Sequence, residues 1–439
     1  MRIRTAAVLA AVTAAAISLS ACSAGSLGES DKSSGGKVTL TFLVDNSESA
    51  VATANQLIKD FTAKNPNITI KVDTRPGGTE GDNLVKTRLS TGDMAEVFEY
   101  NSGSLFQAIA PEKNLTPLDD QAWAGDLVDN FKTTVSANGK VYGAPWGSFM
   151  AGAVMYNRAV YAKLGLEIPK TWADFMANNA KIKAAGIDPI IQTYQDTWTS
   201  QLFVLGDFHN VLVNEPDFPD KYTKNQAKYA TDPYAIKGFE HQQEAHDAGY
   251  FNKNFASSKL EDGIKALADG KGAQYPILSF AVATVAANTP DKAKDIGMFG
   301  LPGDDAGKYG MTVWAPAGVY IPSTVKDDKL DAAKKFVSFI ASTEGCDSQT
   351  KGSTPTGPYG LKSCKLPSDV TQVAKDIQTA IDTPGGSSLA LEFLSPIKGP
   401  ALEQITVEVG SGIRKAKAGA ALYDEDVKKQ AQQLGLPGW

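Results

Sequence analysis

Apolar and polar positions along this 439-residue chain follow a repeating strand–helix–strand order. Residues 37–44 (KVTLTFLV) form an apolar run of strand length, and apolar residues from Val51 to Phe61 recur at helical spacing. Pro66 ends that helix, and residues 68–72 alternate as a second strand. This unit predicts two parallel strands joined by a right-handed helical crossover.

The same order continues towards the C-terminus. Thr171 is a natural N-cap, and Asp174 three residues later completes a capping arrangement at the start of a helix. Further strands are predicted at residues 96–100, 189–193, 272–280 and 296–301, and further helices at residues 82–90, 172–185, 232–248, 260–270, 328–340 and 368–381. Strands that alternate with helices in this way predict an α/β fold.

Two longer apolar stretches rich in small residues interrupt this order, at residues 138–157 and 312–321. The first, NGKVYGAPWGSFMAGAVMYN, starts with an Asn-Gly turn and is apolar on both alternating faces, as a central strand is. Its Gly, Ala and Pro content suits a bend or a close backbone approach. Because a chain of this length is expected to form two domain-sized bodies, we interpret residues 138–157 as a crossing between two lobes, with Trp146 facing the space between them.

Composition and charge narrow the class of protein. A hydrophobic content of 42% and a charged content of 21% are ordinary for a soluble globular chain. The net charge is −6, and the 43 basic residues are scattered along the chain, so nothing indicates nucleic-acid or anionic-membrane binding.

The N-terminus has the form of an export signal. Two arginines precede an apolar stretch at residues 5–19, which is too short to span a bilayer. The following Leu-Ser-Ala-Cys, ending at Cys22, resembles a bacterial lipobox, in which the cysteine is lipidated; an ordinary signal peptide is the alternative. We therefore predict a signal peptide at residues 1–22, a flexible Ser/Gly tether at residues 23–36, and a body anchored through Cys22 to the extracellular face of the bacterial cell membrane.

A lipidated Cys22 leaves two cysteines, Cys346 and Cys364, in an oxidising compartment. The residues between them are polar and rich in turn formers, and we expect a disulfide rather than two free thiols. Closing such a loop contributes about 3 kcal/mol through the unfolded state. No histidine lies near either cysteine in the sequence, so a metal site is not expected there.

Several motifs in order carry a resemblance to a known family. They are LIKDFTAKNPNITIKV (57–72), NGKVYGAPWG (138–147), MYNRAVYAKLGLEIPKTWADF (155–175), ALADGKGAQYP (266–276) and GVYIPSTVKDDKLDAAKKFVSFIASTEG (318–345). Together, behind a lipobox, they make the chain resemble the family 1 extracellular solute-binding proteins, the carbohydrate-binding lipoproteins of bacterial ABC importers. The resemblance covers residues 37–435, and its most specific motif runs from Tyr156 to Phe175.

This resemblance implies a two-lobed, periplasmic-binding-protein-like α/β fold, with hinge crossings and a ligand cleft between the lobes. Lobe 1 would comprise residues 37–146 and 312–342, and lobe 2 residues 147–311 and 343–439. The implied function is to capture an oligosaccharide outside the cell and deliver it to the permease subunits of an ABC importer that a cytoplasmic ATPase drives. The chain would act as a monomer, without a cofactor and without catalysis.

Sugar sites combine hydrogen-bonding carboxylates and amides with aromatic rings that cover C–H faces. The predicted strand ends and the resemblance together imply a set of contact residues: Asn46, Ser47, Glu48, Asn101, Ser102, Trp146, Asp196, Trp198, Ser279, Phe280, Trp314, Glu392 and Phe393. At the aromatic position near residue 280 the chain departs from the family pattern. Either Tyr275 or Phe280 could therefore stack on the ligand.

Other functions fit the sequence less well. His241 and His246 lie five residues apart and lack the HExxH order of a zinc-binding helix, and the chain contains no G-x-S-x-G motif. A secreted glycoside hydrolase remains an alternative, because the sequence does not reveal the distance between carboxylates. A peptide, a polyamine or a metal chelate is an alternative ligand for the same fold. A passive adhesin would not explain the paired crossings.

Overall fold

Two mixed β-sheets covered by helices make up the computed structural model, which describes residues 36–439. The predicted export signal, Cys22 and all but the last residue of the tether lie outside these residues. Within the described part of the chain, no helix is both long enough and apolar enough to cross a lipid bilayer.

The structure contains thirteen strands among its described residues. They are β1 (Val38–Asp45), β2 (Ile68–Arg75), β3 (Val97–Tyr100), β4 (Ser136–Ala137), β5 (Lys140–Val141), β6 (Ala144–Trp146), β7 (Met150–Asn157), β8 (Asp188–Ile190), β9 (Gly272–Leu278), β10 (Ile296–Phe299), β11 (Met311–Trp314), β12 (Ala317–Tyr320) and β13 (Ser387–Leu389).

The α-helices form the layers around these strands. They are α1 (Glu48–Lys64), α2 (Gly78–Thr91), α3 (Ser104–Ala108), α4 (Pro111–Asn114), α5 (Asp129–Thr134), α6 (Arg158–Leu164), α7 (Trp172–Ala184), α8 (Leu202–Leu205), α9 (Phe208–Asn214), α10 (Phe218–Thr223), α11 (Lys237–Asp247), α12 (Leu260–Ala268), α13 (Ala281–Asn288), α14 (Pro290–Ala293), α15 (Asp327–Ile340), α16 (Thr343–Gly352), α17 (Gln372–Asp382), α18 (Leu402–Gly410) and α19 (Ala416–Gln433). Short 3-10 helices lie at Ala122–Gly125, Thr197–Gln201, Ala306–Lys308 and Leu391–Phe393.

The first sheet has the strand order β2-β1-β3-β12-β6. Strand β1 is parallel to β2 along its whole length, as the strand–helix–strand unit predicted, and it is also parallel to β3. Helices α1 and α15 cover one face, where the buried rings of Phe42, Phe61 and Phe336 meet with centroids 5.1–5.3 Å apart. Aromatic burial of this kind supplies much of a lobe's stability.

The second sheet has the order β13-β11-β7-β9-β8, with β10 also paired to β7. Strand β7 is central, because β9 lies along one edge while β10 and β11 share the other. Its residues are nearly all buried, which agrees with the two-sided apolar pattern of residues 138–157. The Asn138-Gly139 turn is also confirmed: both residues have positive φ, at 48° and 74°, and they join β4 to the antiparallel β5.

The chain passes between the sheets at short connections. Residues 147–149 join β6 of the first sheet to β7 of the second, so the predicted crossing after Trp146 is confirmed. Ala315 and Pro316 lead back from β11 to β12. A third connection follows Cys364 and leads to α17, which packs on β10. Residues Val38–Trp439 together form one compact unit.

Two of the expected lobe boundaries need correction. Strand β11 pairs with β7 and β13 in the second sheet, so residues 312–314 belong with lobe 2. The second crossing itself lies at residues 315–316, within the apolar stretch 312–321 where it was expected. Helix α16 packs against α1, and the Gly360 carbonyl accepts a bond from Val128 N (2.9 Å), so the third crossing lies beyond residue 364 rather than at residue 342. On the basis of these strand pairings we propose that lobe 1 comprises residues 38–146 and 317–364, and that lobe 2 comprises residues 150–314 and 372–439.

The expected disulfide is present between Cys346 and Cys364, with Cα atoms 6.2 Å apart. Cys346 lies on α16, a helix that the turn-rich composition of this region did not predict. Ser342 caps that helix, accepting a bond from Gly345 N at 3.1 Å.

Prediction for Gly152: replacing this residue of β7 with alanine should lower the free energy of unfolding by about 1–3 kcal/mol, because the added Cβ would lie 2.4 Å from the Trp314 ring. Gly125→Ala is the matched control, since a Cβ there meets no atom within 4 Å. Urea unfolding of both variants measures the difference. Equal stabilities would show that the Trp314 ring moves aside freely.

Candidate functional site

A cleft of about 490 Å³ opens where the chain crosses between the lobes. Both crossings contribute to its floor, through Gly147, Ser148, Ala315 and Pro316. Its volume falls in the range typical of small-molecule sites, and clefts between lobes commonly hold them.

Lobe 1 supplies most of the wall. The end of β6 contributes Trp146, whose half-buried ring packs edge-to-face on Phe42 with centroids 5.5 Å apart and planes at 81°. Because Phe42 belongs to the lobe core, the indole is held rigidly while one side of it remains open to the cleft. The remaining residues from the first part of this lobe are Asp45, Ser47, Ser49, Ala50 and Thr53, and Ala317 follows from β12.

Asp45 lies at the carboxyl end of β1, the side of a parallel sheet where ligands bind. Its Oδ1 accepts a bond from Ser47 N at 2.9 Å, which orders the turn into α1. Ser47 is the N-cap of that helix and accepts from Ala50 N. The carboxylate therefore stands beside a helix N-terminus, on the cleft wall.

A buried ion pair supports this end of the sheet. Arg75 at the end of β2 donates from Nη2 to Glu99 Oε2 at 2.9 Å, and its Nη1 lies 3.9 Å from Asp45 Oδ2. Glu99 also accepts a bond from Asp45 N. Burial raises the pKa of the Glu99 carboxyl, and the Arg75 guanidinium opposes that rise. The pair thus ties the ends of three parallel strands together behind Asp45.

Lobe 2 faces this wall with one aromatic ring and the start of a helix. Phe280 directly precedes α13, and Ala283 and Thr284 on the first turns of α13 join it, with Met150 from β7. The Phe280 ring packs beside Trp198 at a centroid distance of 5.9 Å. Aromatic rings therefore line the cleft from both lobes.

The last part of the wall comes from the loop that the disulfide closes. Gln349 on α16, Ser353, Thr354, Pro355, Thr356 and Tyr359 all line the cleft. We call residues Ser353–Tyr359 the wall segment. Neither Lys nor Arg belongs to the cleft lining, and Asp45 is its one carboxylate among the described residues.

The structure places three of the predicted contact residues on the cleft: Ser47, Trp146 and Phe280. Asn46 and Glu48 flank Ser47 and are exposed beside the cleft. The Trp198 ring packs against Phe280 but does not itself line the cleft. Of the two alternative stacking residues, Tyr275 is fully buried with its hydroxyl bonded to Thr193, whereas Phe280 borders the cleft.

Other predicted contact residues have structural partners instead. Ser102 is buried and donates to the Pro316 carbonyl at 2.7 Å, and Ser279 is fully buried with its hydroxyl accepting from Ala151 N. Asp196 accepts from Leu260 N at 2.7 Å, at the start of α12. Ser102 thus stabilises the second crossing, Ser279 the edge of β7, and Asp196 the start of α12. The structure does not support the expected ligand contacts of these three residues.

The remaining four predicted residues lie away from the cleft lining. Trp314 is buried and donates to Glu392 Oε1 at 2.8 Å, while Lys398 pairs with the other oxygen of that carboxylate. Phe393 packs on Gly103, where a Cβ would lie 2.5 Å from its ring. Asn101 is exposed, and its carbonyl accepts from the Tyr320 hydroxyl. Trp314, Glu392 and Phe393 thus form packing and polar contacts rather than cleft wall.

Sequence reasoning missed Asp45, Gln349 and the wall segment. The sequence pattern assigns Asp45 to the turn after β1, although its position at a strand end is the signal that could have identified it. The wall segment carries no comparable signal, since only the fold brings it beside residues 147–149.

Lobe 2 contains a smaller cavity of about 160 Å³, bordered by Asp207 and His241. Both side chains are buried, with His241 Nδ1 4.0 Å from Asp207 Oδ1, and Trp172 stacks on the imidazole at 3.9 Å. Burial raises the pKa of Asp207 well above its usual value and, with Lys237 nearby, lowers the pKa of His241 to about 3. Within the described residues no group of three or more metal-ligating side chains is found.

Two α/β lobes with a cleft at their crossings define the two-lobed solute-binding fold. The profile of the family described as bacterial extracellular solute-binding proteins matches residues 45–345, which is more than half of the chain. The chain therefore belongs to this family, as its motifs indicated.

Similar proteins agree with that assignment. The multiple sugar-binding protein of Streptococcus mutans serotype c is 26% identical over 313 residues, which cover 69% of this chain and 71% of the relative. A maltooligosaccharide ABC transporter solute-binding lipoprotein of Streptococcus pneumoniae strain R6 is 27% identical over 291 residues, 59% of this chain and 62% of the relative. The solved structure of a chitin oligosaccharide binding protein has a TM-score of 0.74 at 22% identity, and covers 91% of this chain and 100% of its own.

Prediction for His241: the imidazole should remain uncharged as the pH falls from 7 to 5, because its pKa in the folded protein is about 3. The contribution of His241 to the free energy of unfolding is complete above pH 6.5, the approximate pKa of a histidine in the unfolded chain. It falls by up to about 1.4 kcal/mol per pH unit as the pH drops from 6.5 to 3. The raised pKa of buried Asp207 has the opposite effect, so the contribution of Asp207 to the free energy of unfolding is lost as the pH rises.

Histidine-labelled NMR measures this directly, because the chain has three histidines and His209→Gln and His246→Gln variants assign their signals. A midpoint near pH 6 for His241 would contradict the prediction, and would mean that Asp207 is ionised and pairs with the imidazolium.

Proposed function

We propose that this protein captures an oligosaccharide outside the cell, closes its two lobes around it, and delivers it to the permease of an ABC importer. The observation that carries the proposal is the placement of Trp146 and Phe280 on opposite sides of one hydroxyl-rich cleft that holds almost no charge. Aromatic rings cover the C–H faces of a sugar, and Ser and Thr hydroxyls bond its hydroxyl groups.

The charge of the cleft favours a neutral ligand over the alternatives. A polyamine would need several converging carboxylates, and an anion would need Arg or Lys, whereas Asp45 is the one charged side chain that the described residues contribute to the lining. A retaining or inverting glycosidase needs a pair of carboxyl groups flanking the bond that breaks. With Asp45 lacking such a partner on the described cleft wall, binding is the better-supported activity.

The relatives support the same ligand class. The proteins that this chain resembles are described as binding multiple sugars, maltooligosaccharides and chitin oligosaccharides. A cleft of about 490 Å³ suits a short oligosaccharide. The ATPase of the importer supplies the energy for transport. This chain therefore needs only a higher ligand affinity in its closed state than in its open state.

Prediction for the aromatic pair: Trp146→Ala and Phe280→Ala should each weaken oligosaccharide binding by about tenfold to a hundredfold, because each removes a ring that covers a sugar face. Isothermal titration with a panel of gluco-, galacto-, xylo- and chito-oligosaccharides measures the affinities. Tyr234→Ala is the control, since Tyr234 is exposed in lobe 2 away from the cleft lining.

Unchanged affinity in both cleft variants would refute the aromatic site. Chromatography of the sugars after titration tests the enzyme alternative in the same tubes. We expect intact oligosaccharides, and new reducing ends that require this protein would favour a glycosidase.

Prediction for the anchor: Cys22→Ser should move the protein from the membrane fraction to the culture medium, because the substitution removes the proposed lipidation site while leaving the apolar signal intact. Immunoblots of the two fractions measure the shift, and Ser23→Ala is the control. Incorporation of a labelled fatty acid that persists in the Cys22→Ser protein would show that Cys22 is not the lipidated residue.

A further inference from the structure

The disulfide closes a loop that belongs to the cleft rather than to the outer surface of lobe 1. Cys346 and Cys364 lie 18 positions apart, and the residues between them comprise most of α16, the wall segment Ser353–Tyr359 and a return to lobe 1. Gln349 and five residues of the wall segment border the cleft. This one covalently closed loop therefore forms a continuous side of the proposed binding site.

Both ends of the loop are attached to lobe 1. At the start, Gly352 approaches α1 so closely that a Cβ would lie 2.5 Å from Thr53 Cα. At the end, the Gly360 carbonyl accepts a bond from Val128 N (2.9 Å). The wall segment between these attachments is the part of the loop that faces the ligand space.

The wall segment is also bonded to the first crossing. Thr356 N donates to Ser148 Oγ at 3.2 Å, and Phe149 N donates to the Pro358 carbonyl at 2.7 Å. Gln349 is mostly buried, and its Oε1 accepts from Gly147 N at 2.8 Å. That bond fixes the amide of Gln349, a residue that borders the cleft, to the backbone of the first crossing.

The exposed part of the wall segment is confined to its first two residues. Ser353 and Thr354 are exposed, whereas Pro355 and residues 357–359 are buried, and residues 352–361 contain no charged side chain. The polar contacts that hold the end near Cys364 are exposed to solvent, between Ser363 and Asp126 and between Lys362 and Asp129. Exposed polar contacts stabilise weakly, so at this end of the loop the disulfide adds a covalent link to the buried Leu361 and to the bond between Val128 N and the Gly360 carbonyl.

We propose that the wall segment determines which oligosaccharides the cleft accepts, and that the Cys346–Cys364 disulfide holds it in the geometry that binds ligand. This inference rests on the proposed sugar-binding function. Ligand selectivity requires hydroxyl and amide groups at fixed positions, and a pre-ordered wall binds without the entropic cost of ordering it at each encounter. The disulfide would therefore affect recognition as well as stability.

The first test removes the disulfide. Cys346→Ser/Cys364→Ser should bind its preferred oligosaccharide about tenfold more weakly, and the affinity differences across the panel should shrink. Wild-type protein in dithiothreitol should behave like the double variant, whereas dithiothreitol should leave the double variant unchanged. Far-UV circular dichroism and thermal melting establish that each sample is folded at the titration temperature.

A second pair of variants keeps the test valid if the cysteine variant fails to fold. Ser353→Ala/Thr354→Ala removes two exposed hydroxyls from the wall segment and should change the order of preference among the oligosaccharides, with the melting temperature unchanged. Lys351→Ala is the matched control, because Lys351 lies in the same closed loop, is exposed, and does not border the cleft.

The possible outcomes distinguish a failure of this inference from a failure of the proposed sugar-binding function. If wild-type protein binds no oligosaccharide, the proposed function fails and the inference fails with it. If wild-type protein binds, but the folded cysteine variant or the Ser353→Ala/Thr354→Ala variant retains both its affinity and its order of preference, the inference alone is overturned.

Discussion

The pairing of strands on both sides of the crossings is the constraint on which the cleft depends. Ala317 pairs with Trp146 in the first sheet, and Trp314 pairs with Met150 in the second, so the two crossings run side by side. Backbone ladders fix both ends of these two connections. A change in lobe orientation must therefore be absorbed by residues 147–149 and 315–316, together with the third connection after Cys364. A hinge this short favours rotation of rigid lobes, and the cleft lies directly beside it.

The lobe 1 wall depends on a second interaction, the buried pair of Arg75 and Glu99. Removing two charges from water is costly, and such pairs often add little net stability. Here the pair joins the carboxyl ends of β1, β2 and β3 and supports the backbone of Asp45. We interpret it as a device that orients the cleft carboxylate, since Asp45 Oδ2 lies within 4 Å of the Arg75 guanidinium. Loss of Arg75 would leave the buried Glu99 carboxyl without its cation, whereas loss of Glu99 would leave Arg75 with Asp45 as its carboxylate neighbour.

Much of the fold followed from periodicity, because long strands and helices repeat their pattern many times, and the motifs supplied the family. The site was harder, since a position near a strand end does not reveal which way a side chain points. Ser279 and Phe280 are neighbours, yet the serine is fully buried and the phenylalanine borders the cleft. Trp146 and Trp314 both flank crossings, and only Trp146 borders the cleft. The wall segment could not be predicted, because its place on the cleft depends on tertiary contacts with residues 147–149 that no local sequence pattern encodes.

The division of the wall between lobes bears on how closure could raise affinity. Trp146, Asp45 and the wall segment all belong to lobe 1 or its margin, whereas Phe280 and Thr284 belong to lobe 2. On the proposed mechanism, a ligand would bind first to the larger surface of lobe 1 while the lobes are apart. Contacts with Phe280 would then form only when the lobes approach, and would contribute to the closed state alone. A ligand shifts a conformational equilibrium only by its differential affinity for the two states, and in this protein that difference would reside in the small lobe 2 surface.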